Sequence, residues 1–233
     1  DVGMMSEGLR VGVIGVGVMG RNHVRVLRQM RDVTMVGAAD TDDGALRPLA
    51  EAGVPVFRHG AELLAQKPEA LIVAIPTMHH HDIVMEALSR GVHVLVEKPI
   101  ASTVAEAEAM IAAADRKNLR LMVGHIERFN PAVRALRDAI DREPLISVSI
   151  VRVGPFPPRV NDVGIVIDLG VHDIDLIRWL TGSEIESLQS QIQRTRERSE
   201  DIAFMQFRTA NGVLAHINTN WLTPYKERRI QAS

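Results

Sequence analysis

The chain of 233 residues is long enough for one large domain or two smaller ones, and its apolar fraction of 46% is ordinary for a globular protein. Its 27 basic and 29 acidic residues nearly balance, which gives no reason to expect a nucleic acid or an anionic membrane as partner. The lack of cysteine excludes disulfides, thiol catalysis and cysteine-ligated zinc. No apolar run approaches the roughly 20 residues that span a bilayer, and the opening "DVGMMSEG" lacks a signal-peptide pattern. We therefore expect a soluble, cytoplasmic protein.

The first half of the chain alternates predicted strands and helices. Apolar, valine-rich runs predict five strands, at 9–17, 33–40, 69–76, 93–99 and 119–125. Helical spacing predicts helices at 23–30, 45–53, 81–91 and 102–118. The last of these has Ser102 or Thr103 as N-cap and Glu106 placed for a capping box. Such alternation is typical of an α/β domain with a doubly wound parallel sheet covered on both faces.

The turn after the first predicted strand carries three glycines at the spacing of a dinucleotide-binding loop. Gly15 would permit the tight turn, Gly17 would let the backbone approach a pyrophosphate, and Gly20 would let the helix pack on the strand. The helix N-terminus adds free N–H groups for the phosphates. Asp40 ends the second strand, where a carboxylate would bind the adenosine ribose and repel a 2′-phosphate. The fingerprint therefore predicts NAD as cofactor, with NADP less favoured.

Two other interpretations of this region are weaker. A methyltransferase is the rival use of a glycine-rich first turn, but the third glycine and the apolar strand before it suit a dinucleotide better. Asp42 and Asp43 follow Asp40 closely and are better explained as solvated turn residues than as cofactor ligands.

The second half of the chain has a different pattern, which predicts an α+β domain. Asn130 and Pro131 begin a predicted helix at 130–141 as N-cap and first residue. A strand at 145–153, a Pro/Gly loop at 154–164 that would cover a site, and a helix at 167–182 follow. The remaining predicted strands lie at 184–194, at 201–222 with a hairpin turn at Asn211-Gly212, and from 227 onward.

The hairpin's second arm alternates apolar and polar residues, as in an antiparallel sheet with one open face. That polar face could be solvent-facing surface or the floor of a substrate site. The predicted organisation is a Rossmann domain over 1–124 and a substrate-binding domain over 125–233, whose sheet we expect to be incomplete at its C-terminal end.

The helix predicted at 167–182 places four chemically interesting residues on one face. Their spacings are four, three and four, and they are Asp168, His172, Asp175 and Trp179. The stripe expected to pack on the core consists of Leu169, Leu176, Ile177 and Leu180. An aspartate and a histidine four residues apart form either an exposed helix pair or a general base with its orienting carboxylate. Spacing alone leaves both interpretations open.

Four short motifs then occur in a characteristic order. They are Gly15-x-Gly-x-Met19-Gly20-x-x-His23, Pro76-Thr77-x-x-His80, Glu97-Lys98-Pro99 and Asp168-x-x-x-His172. Together they resemble the glucose–fructose oxidoreductase / inositol dehydrogenase / MocA family of NAD(P)-dependent sugar dehydrogenases, from residue 9 to about 224. Members have an N-terminal Rossmann domain and a C-terminal domain with an open, mostly antiparallel sheet. The resemblance implies that the substrate lies between this sheet and the nicotinamide, and that the protein is a homo-oligomer.

The resemblance also implies roles for single residues. Lys98 would stabilise the developing alkoxide, His172 would accept the hydroxyl proton, and Asp168 would orient His172. Glu97 would contact the cofactor or be structural. The cofactor-binding set is Gly15, Gly17, Val18, Met19, Gly20, Asp40, Pro76, Thr77, His80, Glu97 and Lys98. Three adjacent histidines at 79–81 cannot all face one ion, so no metal site is predicted there.

Within the family, "VGHIERFNPAV" at 123–133 resembles the UDP-N-acetylglucosamine 3-dehydrogenase branch. This implies oxidation of the C3 hydroxyl of a UDP-sugar by a substrate-binding set of His125, Arg128, Asn130, Asp168 and His172. Glu127 and Arg128 could instead pair with each other at the domain junction. The alternative functions are an inositol or free-sugar dehydrogenase, a non-catalytic NAD or sugar sensor, and a reductase acting on a non-sugar ring.

Overall fold

The computed structural model describes residues 8–141, 144–157, 163–196 and 199–233. By its internal contacts the chain divides into two compact units, and the boundary falls between Gly124 and His125. The loop predicted at 154–164 to cover a site lies partly outside the described residues, since 158–162 are not among them.

The first unit contains a six-stranded sheet in which every described pairing is parallel. Its strands are β1 (Leu9–Ile14), β2 (Val33–Ala39), β3 (Val56–Phe57), β4 (Ala70–Val73), β5 (His93–Val96) and β6 (Leu121–Val123). Their order across the sheet is β3-β2-β1-β4-β5-β6, so the direction of winding reverses between β1 and β4. The predicted doubly wound sheet is confirmed, and ligands of such sheets bind beside the carboxyl ends of the strands at this reversal.

Five α-helices are described in the first unit: α1 (Val18–Leu27), α2 (Asp43–Glu51), α3 (Gly60–Leu64), α4 (His80–Ser89) and α5 (Val104–Arg116). The predicted capping box is present, because the Thr103 hydroxyl accepts from the Glu106 N–H and the Glu106 side chain reaches back to Thr103. Asp42 caps α2 by accepting from the Gly44 N–H, which supports its interpretation as a turn residue. The sequence did not predict β3 and α3, since segments of two and five residues are too short to show a period.

Two apolar clusters of the first unit lie on opposite faces of its sheet, because side chains alternate along each strand. One joins Ile14, Leu71 and Val73 to α3, α4 and α5. The other joins Val13 and Ile72 to α1 and α2. Helices on both faces leave the strand ends as the accessible part of the sheet.

The second unit contains a five-stranded, mostly antiparallel sheet. Its strands are β7 (Ser147–Pro155), β8 (Ile185–Gln193), β9 (Ile202–Thr209), β10 (Leu214–Asn220) and β11 (Leu222–Ala232). They are ordered β11-β7-β10-β9-β8, and only β7 and β10 pair in parallel. The predicted hairpin is confirmed between β9 and β10, where Gly212 has a φ of 88°. The last predicted strand is longer than expected, since β11 begins at Leu222.

Two α-helices cover one face of this sheet, α6 (Pro131–Ile140) and α7 (Val171–Thr181). The prediction of one continuous helix at 167–182 was partly wrong, because Val166–Gly170 form a π-helical turn before α7 begins. Gly182 ends α7 in the left-handed conformation. The predicted apolar stripe is buried at Leu176, Ile177 and Leu180, so α7 presents a fixed face to the sheet.

Candidate functional site

The glycine-rich turn has the geometry that its sequence predicted. Gly15 has a φ of 87°, and a Cβ there would lie 2.3 Å from the Ala74 carbonyl oxygen. A Cβ at Gly20 would lie 1.8 Å from the Gly15 carbonyl oxygen, so neither position accepts a side chain. Beside Gly17 nothing lies within 4 Å, which leaves open space at the N-terminus of α1. Val18 and Met19 follow as the first residues of α1, whose free N–H groups favour an anion.

A cleft of about 700 Å³ opens at the carboxyl ends of β1, β2 and β4. Its lining includes Gly15, Gly17, Asp40 and Pro76, which are four of the predicted cofactor residues. Thr77 begins the 3₁₀ turn that follows Pro76. This cleft, the open space beside Gly17 and the helix N-terminus together fit a dinucleotide.

The carboxylate of Asp40 is held by two backbone N–H groups. One oxygen accepts from Val16 at 2.7 Å, and the other accepts from Asp42 at 2.9 Å. A carboxylate oxygen has more than one acceptor position, so these bonds leave room for ribose hydroxyls. They also keep a negative charge at the cleft, which disfavours a 2′-phosphate. Arg58 lines the same cleft but is paired with Asp43 at 3.1 Å.

We therefore expect the protein to bind NAD more tightly than NADP, and Asp40→Ser to narrow that difference. The physical reason is the loss of the repelling charge and of the ribose acceptor. The measurement is a fluorescence titration of both cofactors against the wild type and the variant. Asp32→Ser, at the exposed turn before β2, is the matched control and should leave both affinities unchanged. A wild type that prefers NADP would contradict the argument from charge.

The carboxyl end of β5 is fixed at Glu97, the residue directly before Lys98. Glu97 is buried, and its carboxylate accepts a hydrogen bond from Nε2 of His23, on α1, at 2.7 Å. A Cβ at Gly124 would lie 2.9 Å from the Glu97 carboxylate, so this glycine makes room for it. Glu97 therefore has a structural contact, while Lys98 is partly buried and precedes a cis peptide bond to Pro99.

The three consecutive histidines have different surroundings. His79 is exposed, and His81 bonds the Asp82 carboxylate at 2.9 Å. His80 is 1% exposed, and its ring contacts the carbonyl oxygens of Ile75 and Pro99. Of the three, His80 is thus the one built into the fold.

In the second unit, the π-helical turn and α7 carry the predicted catalytic pair. Asp168 lies on the π-helical turn and is buried, and His172 lies on the first turn of α7 and is partly buried. Arg152 chiefly, then Arg228 and finally the protonated form of His172, lower the pKa of Glu127, so Glu127 and His172 interact electrostatically. The sequence analysis had not connected His172 with this charged group.

Ion pairs from two arginines, Arg152 and Arg128, anchor α7, and the sequence analysis missed both pairs. Arg152 on β7 donates from Nε to Asp173 at 2.8 Å and from Nη1 to Glu127 at 3.0 Å. Arg128 donates from Nε to Asp175 at 2.8 Å. Glu127 and Arg128 therefore do not pair with each other, as one alternative had it: Glu127 pairs with Arg152, and Arg128 pairs with Asp175. Arg152 could have been noticed in the sequence, because the alternation along its strand places it among the inward-facing positions, which are otherwise apolar.

The remaining predicted substrate residues have structural contacts of their own. His125 lies 3.7 Å from the Asp175 carboxylate, measured from Nδ1. Asn130 caps α6 by accepting from the Ala132 N–H at 3.0 Å, as predicted. The structure thus gathers His125 and Arg128 around Asp175, and their contact with a substrate stays a prediction.

The carboxylates around Arg152 have shifted pKa values in opposite directions. Burial raises the pKa of Glu127, but the Arg152 guanidinium outweighs this and leaves it below its ordinary value. Burial raises the pKa of Asp173, and the opposing effect of Arg152 does not fully cancel it. Arg152 therefore compensates most of the charge of both Glu127 and Asp173, with a smaller contribution from Arg228.

Comparison with known proteins identifies the class of the chain. The family model described as "Oxidoreductase family, NAD-binding Rossmann fold" of the GFO/IDH/MocA group matches residues 9–125. The model of the GFO/IDH/MocA C-terminal domain matches residues 152–233. The chain belongs to the GFO/IDH/MocA oxidoreductase family, which confirms the predicted family, enzyme class and NAD cofactor.

Individual relatives span more of the chain. It is 32% identical to UDP-N-acetylglucosamine 3-dehydrogenase of Acidithiobacillus ferrooxidans, over 96% of this chain and 70% of that protein. A solved structure of that enzyme superposes with a TM-score of 0.88, at 31% identity and with the same coverage. Inositol 2-dehydrogenase of Rubrobacter xylanophilus is 31% identical, over 94% of this chain and 67% of the relative.

A further solved structure is WlbA dehydrogenase of Bordetella pertussis, described in complex with NADH and UDP-GlcNAcA. It has a TM-score of 0.88 and 26% identity, and the match covers 97% of this chain and 76% of that one. The relatives are therefore longer than the chain. Within the part of the chain that the structure describes, no helix is long and apolar enough to cross a membrane.

Proposed function

We propose that the protein is an NAD-dependent dehydrogenase that oxidises a hydroxyl of a nucleotide sugar, best the C3 hydroxyl of UDP-N-acetylglucosamine. The observation that carries this proposal is the similarity to UDP-N-acetylglucosamine 3-dehydrogenase over 96% of the chain. The UDP-sugar bound to WlbA, at 26% identity, supports the same substrate class.

Three residues would carry the chemistry. His172 accepts the hydroxyl proton as the C–H bond breaks, and Asp168 keeps its imidazole in the required orientation. Lys98 supplies a positive charge to the oxygen as it becomes a carbonyl. Bound NAD supplies the hydride acceptor, so a secondary alcohol becomes a ketone with one proton left on His172.

The ion pairs of the second unit would support these steps by fixing the helix that carries His172. Arg152 ties α7 to β7 through Asp173, the residue directly after His172. Arg128 ties α7 to the 3₁₀ turn Ile126–Phe129 through Asp175. Two anchors on one helix limit the movement of the imidazole, which general-base catalysis requires.

The proposal is tested by scanning NAD reduction against UDP-N-acetylglucosamine, other UDP-sugars, free sugars and inositols. We expect turnover with UDP-N-acetylglucosamine or a close relative and a 3-keto sugar as product, identified by mass spectrometry after borodeuteride reduction. Free N-acetylglucosamine is the matched control for the nucleotide and should react poorly. Turnover of an inositol or a free sugar, with none of any UDP-sugar, would overturn the substrate assignment and leave the family intact.

An inositol dehydrogenase is the second candidate, because inositol 2-dehydrogenases are similar at 31–33% identity. A non-catalytic sensor is less well supported, since a sensor has no need of Lys98, Asp168 and His172 together. Self-association and a cytoplasmic location, which the sequence analysis expected, stay predictions.

A further inference from the structure

His80 has a hydrogen-bonding environment that defines its protonation. Its Nδ1 lies 3.0 Å from the Pro99 carbonyl oxygen, and its Nε2 lies 2.9 Å from the Ile75 carbonyl oxygen. Both partners are acceptors without a hydrogen to give. A neutral imidazole carries one N–H, so it would turn a bare nitrogen lone pair toward one of the two carbonyls. Both contacts are hydrogen bonds only if each ring nitrogen carries a proton.

A doubly protonated His80 carries a positive charge, and the two carbonyl oxygens are the groups that would stabilise it. Each carboxylate on α4, on the segment after β5 and at the start of α5 has another partner: Asp82 bonds His81, Glu86 bonds Arg90, Glu97 bonds His23, and Glu106 bonds the backbone of Ser102 and Thr103. The β4 segment, 70–76, carries no ionisable side chain. Burial, the nearby N-terminus of α4 and Lys98 all oppose a positive charge on His80. The hydrogen bonds to the two carbonyl oxygens are the contacts that favour it.

We propose that His80 is a positioning residue that carries protons on both ring nitrogens and thereby holds the segment containing Lys98. One N–H fixes the carbonyl of Pro99, the residue directly after Lys98, and the other fixes the chain just beyond β4. The ends of two neighbouring strands are thus joined through a buried imidazolium. The positioning of Lys98 for chemistry rests on the proposed function, whereas the double protonation does not.

The direct test is nitrogen NMR of the ring in the cofactor-free full chain, labelled with ¹⁵N-histidine. We expect both His80 nitrogens to show N–H-type shifts at a pH where the exposed His79 ring shows one bare nitrogen. The His80 signals are assigned by their loss in His80→Gln, or from wild-type backbone assignments if that variant does not fold. A bare nitrogen on His80 at that pH would overturn the proposal, whatever the enzyme turns over.

The second test compares kcat and KM of His80→Gln with those of His81→Gln, its neighbour on the same helix. A displaced Lys98 should lower kcat by about 10- to 100-fold with little change in the KM for the sugar, and His81→Gln should match the wild type. An unchanged kcat in a folded His80→Gln would remove the positioning role. If the wild type oxidises no sugar while the two N–H signals are present, the proposed function fails and the double protonation stands.

Discussion

Alanine at Lys98 should lower kcat by about 10²–10³-fold, the cost of losing one preorganised charge at the reacting oxygen. Alanine at His172 should lower it by about 10²–10⁴-fold, as expected for a lost general base. If Lys98 were only a solvated strand end, its replacement would change stability by a few tenths of a kcal/mol, on the order typical of surface positions. The measurement is steady-state NAD reduction with the substrate found in the scan.

Controls separate this effect from loss of structure or of cofactor. Lys117→Ala removes an exposed lysine beyond α5 and should leave kcat unchanged. The NAD affinity of the His172→Ala variant should stay near that of the wild type. Asp168→Asn should cost less than His172→Ala if the carboxylate only orients the imidazole.

The pH profile adds a signature that a structural defect would not produce. A general base must be deprotonated to act, so the rate of oxidation by the wild type should fall toward acidic pH. In His172→Ala this fall in rate at acidic pH should be absent. A kcat near wild type for both Lys98→Ala and His172→Ala would contradict the catalytic roles and favour the sensor.

Much of the fold could be predicted because its signals are local. Apolar runs, the capping box at Thr103 and the Asn130 cap each depend on neighbours a few residues away. The π-helical turn at Val166–Gly170 could not be predicted in this way, because its residues also fit the period of an α-helix. Its presence depends on packing rather than on spacing.

The chemistry-bearing residues could be predicted where they belong to contiguous motifs, as with the glycine turn, Glu97-Lys98 and Asp168-x-x-x-His172. The partners of the charged groups could not, because they are distant in sequence. Arg152 and Asp173 are 21 residues apart, and His23 and Glu97 are 74 apart. Such pairs become visible only when the strands and helices are placed.

Replacing Arg152 by methionine should destabilise the protein by about 3–5 kcal/mol, the cost of leaving buried charges without their partner. Arg152 is 5% exposed and Asp173 is fully buried, so water cannot replace the guanidinium. The measurement is urea unfolding near neutral pH. The matched control is Arg178→Met, which removes an exposed arginine that also forms two bonds to a carboxylate, in Glu184, and should cost far less.

The pKa values of Glu127 and Asp173 determine how the stability lost in Arg152→Met changes with pH. In the wild type, the lowered pKa of Glu127 means that its contribution to stability is present above its unfolded-state pKa and is lost as pH falls through the folded-state pKa. Without Arg152, burial is opposed by the weaker effects of Arg228 and, at Glu127, of His172, so both pKa values rise above those of the wild type. A raised folded-state pKa in an acid destabilises the protein above that pKa, and the penalty disappears on protonation. The difference in stability between wild type and Arg152→Met should therefore narrow toward acidic pH.

Replacing the two acids by neutral amides tests the role of their charges at constant pH. Adding Asp173→Asn and Glu127→Gln to Arg152→Met removes the unpaired charges and should recover part of the lost stability, although the amides still need hydrogen bonds. A loss caused by missing arginine packing alone would be equal at all pH values and unaffected by the two amides. That result would show that the guanidinium fills space and that the charges of Glu127 and Asp173 are compensated by other groups.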